Sequence, residues 1–259
     1  MSDETVHRRG YRFVGCRAAP QGNGAAAATT QSARATFVGR AAAHGELERA
    51  LATALTGRRQ MVLVSGDAGL GKTTLLEVFL AEVRERKPRA WTIRGQCIAS
   101  YGAREPFLPV LDGLGRLCRA AKERRLVERL RALAPQWLLQ LGGVLSGDER
   151  AALRRRVGTV APERMLRTLA DALDVLSRER PVLLVLEDLH WSDHSTIDLL
   201  SYLAQRDEEA RLLILGTYRP VDAIVHGQPV RAMKQESCCT AAAASSRSTC
   251  SMRRPCTHT

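Results

Sequence analysis

The sequence predicts an α/β fold of three layers, with helices covering both faces of a parallel sheet. Residues 61–64, 182–186 and 212–215 are short, unbroken apolar runs, as strands buried on both faces require. Between the runs, apolar residues recur at helical spacing: Leu47, Ala50, Leu51 and Leu55 in one stretch, Met165, Leu166, Leu169, Leu173 and Leu176 in another. Two of the runs end in reactive groups, one in a glycine-rich loop and one in a pair of carboxylates.

The loop is the stronger signal. After the first run come Gly66, Asp67, Ala68, Gly69, Leu70, Gly71, Lys72, Thr73 and Thr74, which read Gly-x-x-x-x-Gly-Lys-Thr, a Walker A motif. Loop N–H groups are expected to face the β-phosphate of ATP, Lys72 to reach the β/γ oxygens, and the Thr73 hydroxyl to ligate Mg²⁺. A helix from about Thr73 to Arg86 adds its N-terminal dipole to the cradle. The spacing therefore predicts a P-loop NTPase sheet with ATP and Mg²⁺ as its cofactors.

A chain of 259 residues, 45% hydrophobic, suits one α/β domain with appendages. Aromatics at 4% argue against a base-stacking surface for single-stranded nucleic acid. The formal charge is +12, and only Lys72, Lys87, Lys122 and Lys234 are lysines, so the excess is arginine. Residues 114–167 hold 13 basic against 5 acidic side chains, a concentration that DNA or an acidic partner could use and that solvated helix faces explain more simply. No apolar stretch has the length of a membrane span and the N-terminus lacks a signal-peptide core, which predicts a cytoplasmic chain with no membrane partner. Cys16, Cys97, Cys118, Cys238, Cys239, Cys250 and Cys256 show neither C-x-x-C pairs nor zinc-finger spacing and read as free thiols.

Residues 1–15 alternate around Gly10 as a short hairpin would, and residues 5–14 resemble the terminal wing of OmpR-type winged-helix DNA-binding domains. That resemblance implies a DNA-reading helix upstream of Met1. Residues 16–36, rich in Ala, Gly, Thr and Gln, read as a flexible linker. Val38, Gly39 and Arg40 then precede a helix from about Ala42 to Leu55. Their placement ahead of Gly66 resembles the AAA+ and STAND signalling ATPases, in which this segment lines the adenine pocket. The ATPase domain is expected over 37–236.

Residues 90–95 read as the second strand, and 101–180 as a helical insertion of four or five helices before the third. The third strand ends in Glu187 and Asp188, the form of a Walker B motif. Glu187 holds the place of the magnesium-side acid and Asp188 that of the water-activating base. Most such motifs have aspartate first, so the order here weighs more against hydrolysis than against binding. The run Leu-Glu-Asp-Leu-His-Trp-Ser-Asp resembles STAND-type regulators, and His190 reads as structural or orienting. Residues 211–217 form the next strand, leading to Arg219, where the resemblance implies a γ-phosphate sensor formed by a polar residue and an arginine.

Beyond Glu236 the composition turns to Ser, Cys, Ala, Arg and Thr, which predicts a disordered, aberrant tail at 237–259 and a domain without its fifth strand and lid. The leading expectation is an ATP-binding, slowly hydrolysing switch of a signal-responsive transcriptional regulator, with homo-oligomerisation on activation. A DNA-binding factor using the wing and the basic helices, and an inactive fragment, are the competing readings.

Overall fold

The computed structural model describes residues 11–15 in backbone, and residues 41–87, 89–99, 105–120, 124–158 and 161–220. In chain order the elements are β1 (Tyr11–Gly15), α1 (Ala41–Leu55), β2 (Gln60–Ser65), α2 (Lys72–Arg86) and β3 (Trp91–Gln96). Next come α3 (Leu108–Arg119), α4 (Arg124–Leu133), α5 (Pro135–Gln140), α6 (Gly147–Val157), α7 (Pro162–Glu179) and β4 (Val182–Glu187). A single 3-10 turn (Leu189–Trp191), α8 (His194–Gln205) and β5 (Leu212–Tyr218) complete the described chain.

The strands form one sheet in the order β1-β2-β5-β4-β3, with every neighbouring pair parallel. Strand alternation divides the core into two layers. Met61, Leu63, Leu184, Leu186, Leu212 and Ile214 face a large cluster with α3–α8, while Val62, Val64, Leu183, Val185, Leu213 and Leu215 face α1 and α2. Both faces are covered, which is why these strands read as unbroken apolar runs and not as alternating ones. Each fully buried Leu or Val contributes about 1.5–3 kcal/mol by leaving water.

The helical insertion expected over 101–180 is α3–α7, five helices between β3 and β4. Its cluster centres on Trp137, whose indole N–H donates to the Met165 carbonyl at 2.8 Å and whose ring lies 5.1 Å from that of Phe107. Ser146 and Glu149 close a capping box at the start of α6.

Tyr11–Gly15, expected within a short hairpin over residues 1–15, lies parallel to β2 in register Tyr11 to Met61 through Gly15 to Ser65. Among the described residues the sheet therefore has five strands, of which β1 comes from well before the glycine loop. The physical reason is that the outer edge of β2 presents a row of backbone donors and acceptors, which an extended segment satisfies. The rest of the expected hairpin (1–10), the linker together with Val38, Gly39 and Arg40, the end of the expected ATPase domain (221–236) and the expected tail (237–259) lie outside the described residues. Among the described residues no helix is long and apolar enough to cross a membrane. Cys97 and Cys118 are buried.

Candidate nucleotide-binding site

β2 delivers the chain into the glycine loop, and the loop turns because Gly69 (φ 75°) and Gly71 (φ 65°) take left-handed conformations that other residues adopt only with strain. A Cβ added at Gly69 would meet nothing within 4 Å, so the loop opens onto free space. Gly71 is the N-cap of α2 and provides no side-chain cap to its first turn. The Lys72 ammonium, 8% exposed, lies in the loop and donates to the carbonyls of Gly66 and Asp67 at 2.7 and 2.9 Å. Asp67, Ala68, Thr73 and Thr74 are exposed around it, and Leu70 is half-buried against the α1–α2 core.

Glu187 ends β4. It continues the row Leu183, Val185 that faces α2, by the two-residue alternation of a strand. Its carboxylate is buried and takes a charged hydrogen bond from Arg94 of β3, with Nε to Oε1 at 2.7 Å and Nη2 also at 2.7 Å. The same guanidinium stands 3.6 Å from Glu77 on α2. The next residue, Asp188, is left-handed (φ 56°, ψ 45°), a conformation that aspartate tolerates better than most residues. Its backbone N–H donates to the Thr217 hydroxyl on β5 at 3.0 Å. β5 separates β2 from β4, so loop, acid pair and Thr217 converge at the C-terminal edge of three adjacent strands.

The surroundings are held by groups with a plainly structural task. Asp193 caps α8 through Oδ1 to the Thr196 N–H at 2.8 Å, and the same oxygen accepts from the Phe107 N–H at 3.0 Å, tying the acid-pair turn to the start of α3. His190, expected to be structural or orienting, is fully buried with its ring 5.3 Å from that of Trp191. Arg219 is half-buried just past β5. Burial raises the phenol of Tyr218 above its ordinary value, and a hydrogen bond with Ser65 partly offsets this. At the opposite edge of the sheet, Arg59 and Arg206 enclose the buried Asp174 carboxylate.

Sequence reasoning named the loop and the acids but missed Arg94 and Asp193. The signal for Arg94 was a charged residue in the middle of a strand whose neighbour ends in two carboxylates. The basic stretch is partly spent within the fold: Arg125 and Arg129 pair with Glu179, Arg131 with Glu149, and Arg150 donates to the Leu139 and Leu141 carbonyls.

The residues fit a magnesium nucleotide. Thr73 and Glu187 offer hard oxygen donors, the type Mg²⁺ takes, and the glycine loop with Lys72 offers the N–H groups and the cation that phosphate takes. A parallel sheet in which one strand enters a glycine loop and helix, with an acid pair at the end of the strand beyond its neighbour, defines a P-loop nucleotide-binding domain. The chain belongs to the AAA ATPase domain family, which it matches over residues 36–215. It is 30% identical over 176 residues to the uncharacterized protein R02095 of Rhizobium meliloti (strain 1021). The match covers 64% of this chain and 17% of that protein, so the chain spans about a sixth of its relative's length.

Proposed function

We propose that the chain is the ATP-binding switch of a signal-responsive transcriptional regulator, holding ATP with Mg²⁺ and hydrolysing it slowly. The observation that carries the reading is the convergence of Lys72, Glu187, Asp188 and Thr217 at one edge of the sheet. In this reading Lys72 exchanges its two carbonyl partners for phosphate oxygens. Thr73 and Glu187 hold the metal, whose charge offsets that of the β- and γ-phosphates. Asp188 orients the attacking water, and Arg219, at the end of β5, meets the γ-phosphate.

Slow turnover follows from the acids. With glutamate first and aspartate second, the shorter carboxylate must reach the water. The metal-side carboxylate is already engaged by a guanidinium. The switch role rests on the packing of the insertion against the site: α3 approaches β3 so closely that a Cβ at Gly95 would stand 2.0 Å from the Pro109 carbonyl oxygen. In this reading a change in nucleotide state at β3 and β4 is passed to the helices through that contact. The test is titration with a fluorescent ATP analogue, with and without Mg²⁺, on the wild-type chain. Saturable binding that Mg²⁺ strengthens supports the reading, and absence of binding rejects it.

A further inference from the structure

We propose that Arg94 is a built-in counter-cation of the nucleotide site: it holds the metal-side carboxylate of Glu187 in the metal-free chain, and Mg²⁺ must displace it. The inference rests on the reading of Glu187 as a metal ligand. It adds a residue, and a competition, that the glycine loop and acid pair do not contain.

Four observations converge on it. Arg94 engages Glu187 through both Nε and Nη2 at 2.7 Å, on a side chain that is only 8% exposed. A buried carboxylate needs a positive partner, because desolvation without one costs several kcal/mol. Both nitrogens meet the one oxygen Oε1, and two cations a few ångströms apart on one carboxylate repel, so the guanidinium opposes Mg²⁺ binding there. Arg94 lies on the α2 side of the sheet, where Glu77 sits one helical turn beyond Thr73 on the same helix face, so the guanidinium stands between Glu187 and the helix that carries Thr73.

The same geometry supplies the exit. Arg94 is 40% exposed and already 3.6 Å from Glu77, which is 58% exposed, so rotation toward Glu77 returns the guanidinium to water without stranding it. The backbone cannot follow. A Cβ at Gly113 would lie 2.8 Å from the Arg94 carbonyl carbon and oxygen, and Arg116 Nη2 donates to that oxygen at 2.9 Å. Release is therefore a side-chain movement on a fixed strand, with Glu77 as the waiting partner.

The experiment measures the Mg²⁺ concentration that half-saturates the metal-dependent gain in affinity for a fluorescent ATP analogue, in the full chain and its variants. Arg94→Gln is expected to lower that concentration about tenfold while leaving metal-free affinity within twofold. Arg94→Lys is expected to stay within threefold of wild type, and Glu77→Gln to raise the concentration two- to threefold by removing the alternative partner. A thermal melt in the absence of nucleotide confirms that each variant is folded, and Glu77→Gln, on an exposed side chain, provides the test if Arg94→Gln is not. Unchanged midpoints in all variants, with analogue bound normally, overturn this proposal alone. Loss of metal-free affinity in Arg94→Gln also overturns it, by making Arg94 a phosphate ligand. Absence of analogue binding in wild type overturns the nucleotide reading itself, and this proposal with it.

Discussion

The backbone N–H of Asp188 is bound by the hydroxyl of Thr217 at 3.0 Å, so the second acid of β4 is positioned by β5 and not by its own strand. Asp188 leaves β4 in a left-handed turn, and its N–H there lacks a partner within the β4–β5 ladder, whose register runs from Val182 to Leu186. Thr217, 2% exposed, closes that gap.

Replacing Thr217 with Val is therefore expected to destabilise the chain by about 1 kcal/mol, the lower end of the cost of leaving a donor unsatisfied, since this one is part-buried. Hydrolysis of bound ATP should fall further than ATP affinity, because the acid loses its orientation while the loop is intact. Asp188→Asn retains a residue suited to the left-handed turn, so its melting temperature should match wild type while single-turnover hydrolysis is lost. Equal hydrolysis rates in Asp188→Asn and wild type would remove Asp188 from the chemistry.

Lys72 is poised in the loop on two carbonyls, which phosphate oxygens replace in the proposed function. Lys72→Ala is expected to weaken ATP binding by about 2–4 kcal/mol, the range for losing a desolvated charge-assisted contact. Isothermal titration checks this, and equal affinity would exclude the loop as the phosphate site.

Thr73 is exposed on the first turn of α2 and free to present its hydroxyl. Thr73→Ala should abolish most of the Mg²⁺ dependence of nucleotide affinity and leave metal-free affinity similar. A preserved magnesium response would rule out Thr73 as a ligand.

Far from the site, Asp174 joins Arg59 and Arg206 in a buried cluster, with side chains 5, 6 and 12% exposed. Arg59 also donates to the Leu203 and Arg206 carbonyls, so the cluster ties the start of β2 to α7 and the end of α8. Asp174→Ala leaves the buried Arg59 guanidinium without a carboxylate, while Arg206 keeps Asp171 and Glu208, and is expected to cost about 3 kcal/mol. Replacement of all three by apolar residues should cost far less, and a chemical denaturation series distinguishes the two outcomes.

Glu149 carries a pH prediction. The Arg131 guanidinium, then the Ser146 cap, hold its carboxyl down to about 2 from an ordinary 4.5. A carboxylate whose folded pKa is depressed contributes stability above the unfolded pKa and loses it as pH falls toward the folded one. The contribution is therefore full above about pH 4.5 and gone near pH 2. Glu149 is at the surface, so the effect is small. In Glu149→Gln, melting temperature should fall less steeply with acid than in wild type over that window.

The sequence by itself determined the parallel sheet, the glycine loop, the acid pair and the helical insertion. Each rests on a pattern written within a few consecutive residues: two-face burial makes an unbroken apolar run at residues 61–64 and 182–186, and Gly69 and Gly71 are demanded by the local turn. Tertiary structure alone decided partners. Arg94 is legible as a charge in a strand, but its carboxylate lies 93 residues away, and Phe107 and Asp193 are 86 apart. No local period encodes such pairings, because they arise only when strand order places β3 beside β4 and the insertion folds back onto one face of the sheet. The same holds at the sheet edge: Tyr11–Gly15 has the alternation of any short strand, and only the open backbone of β2 decides that it pairs there in parallel.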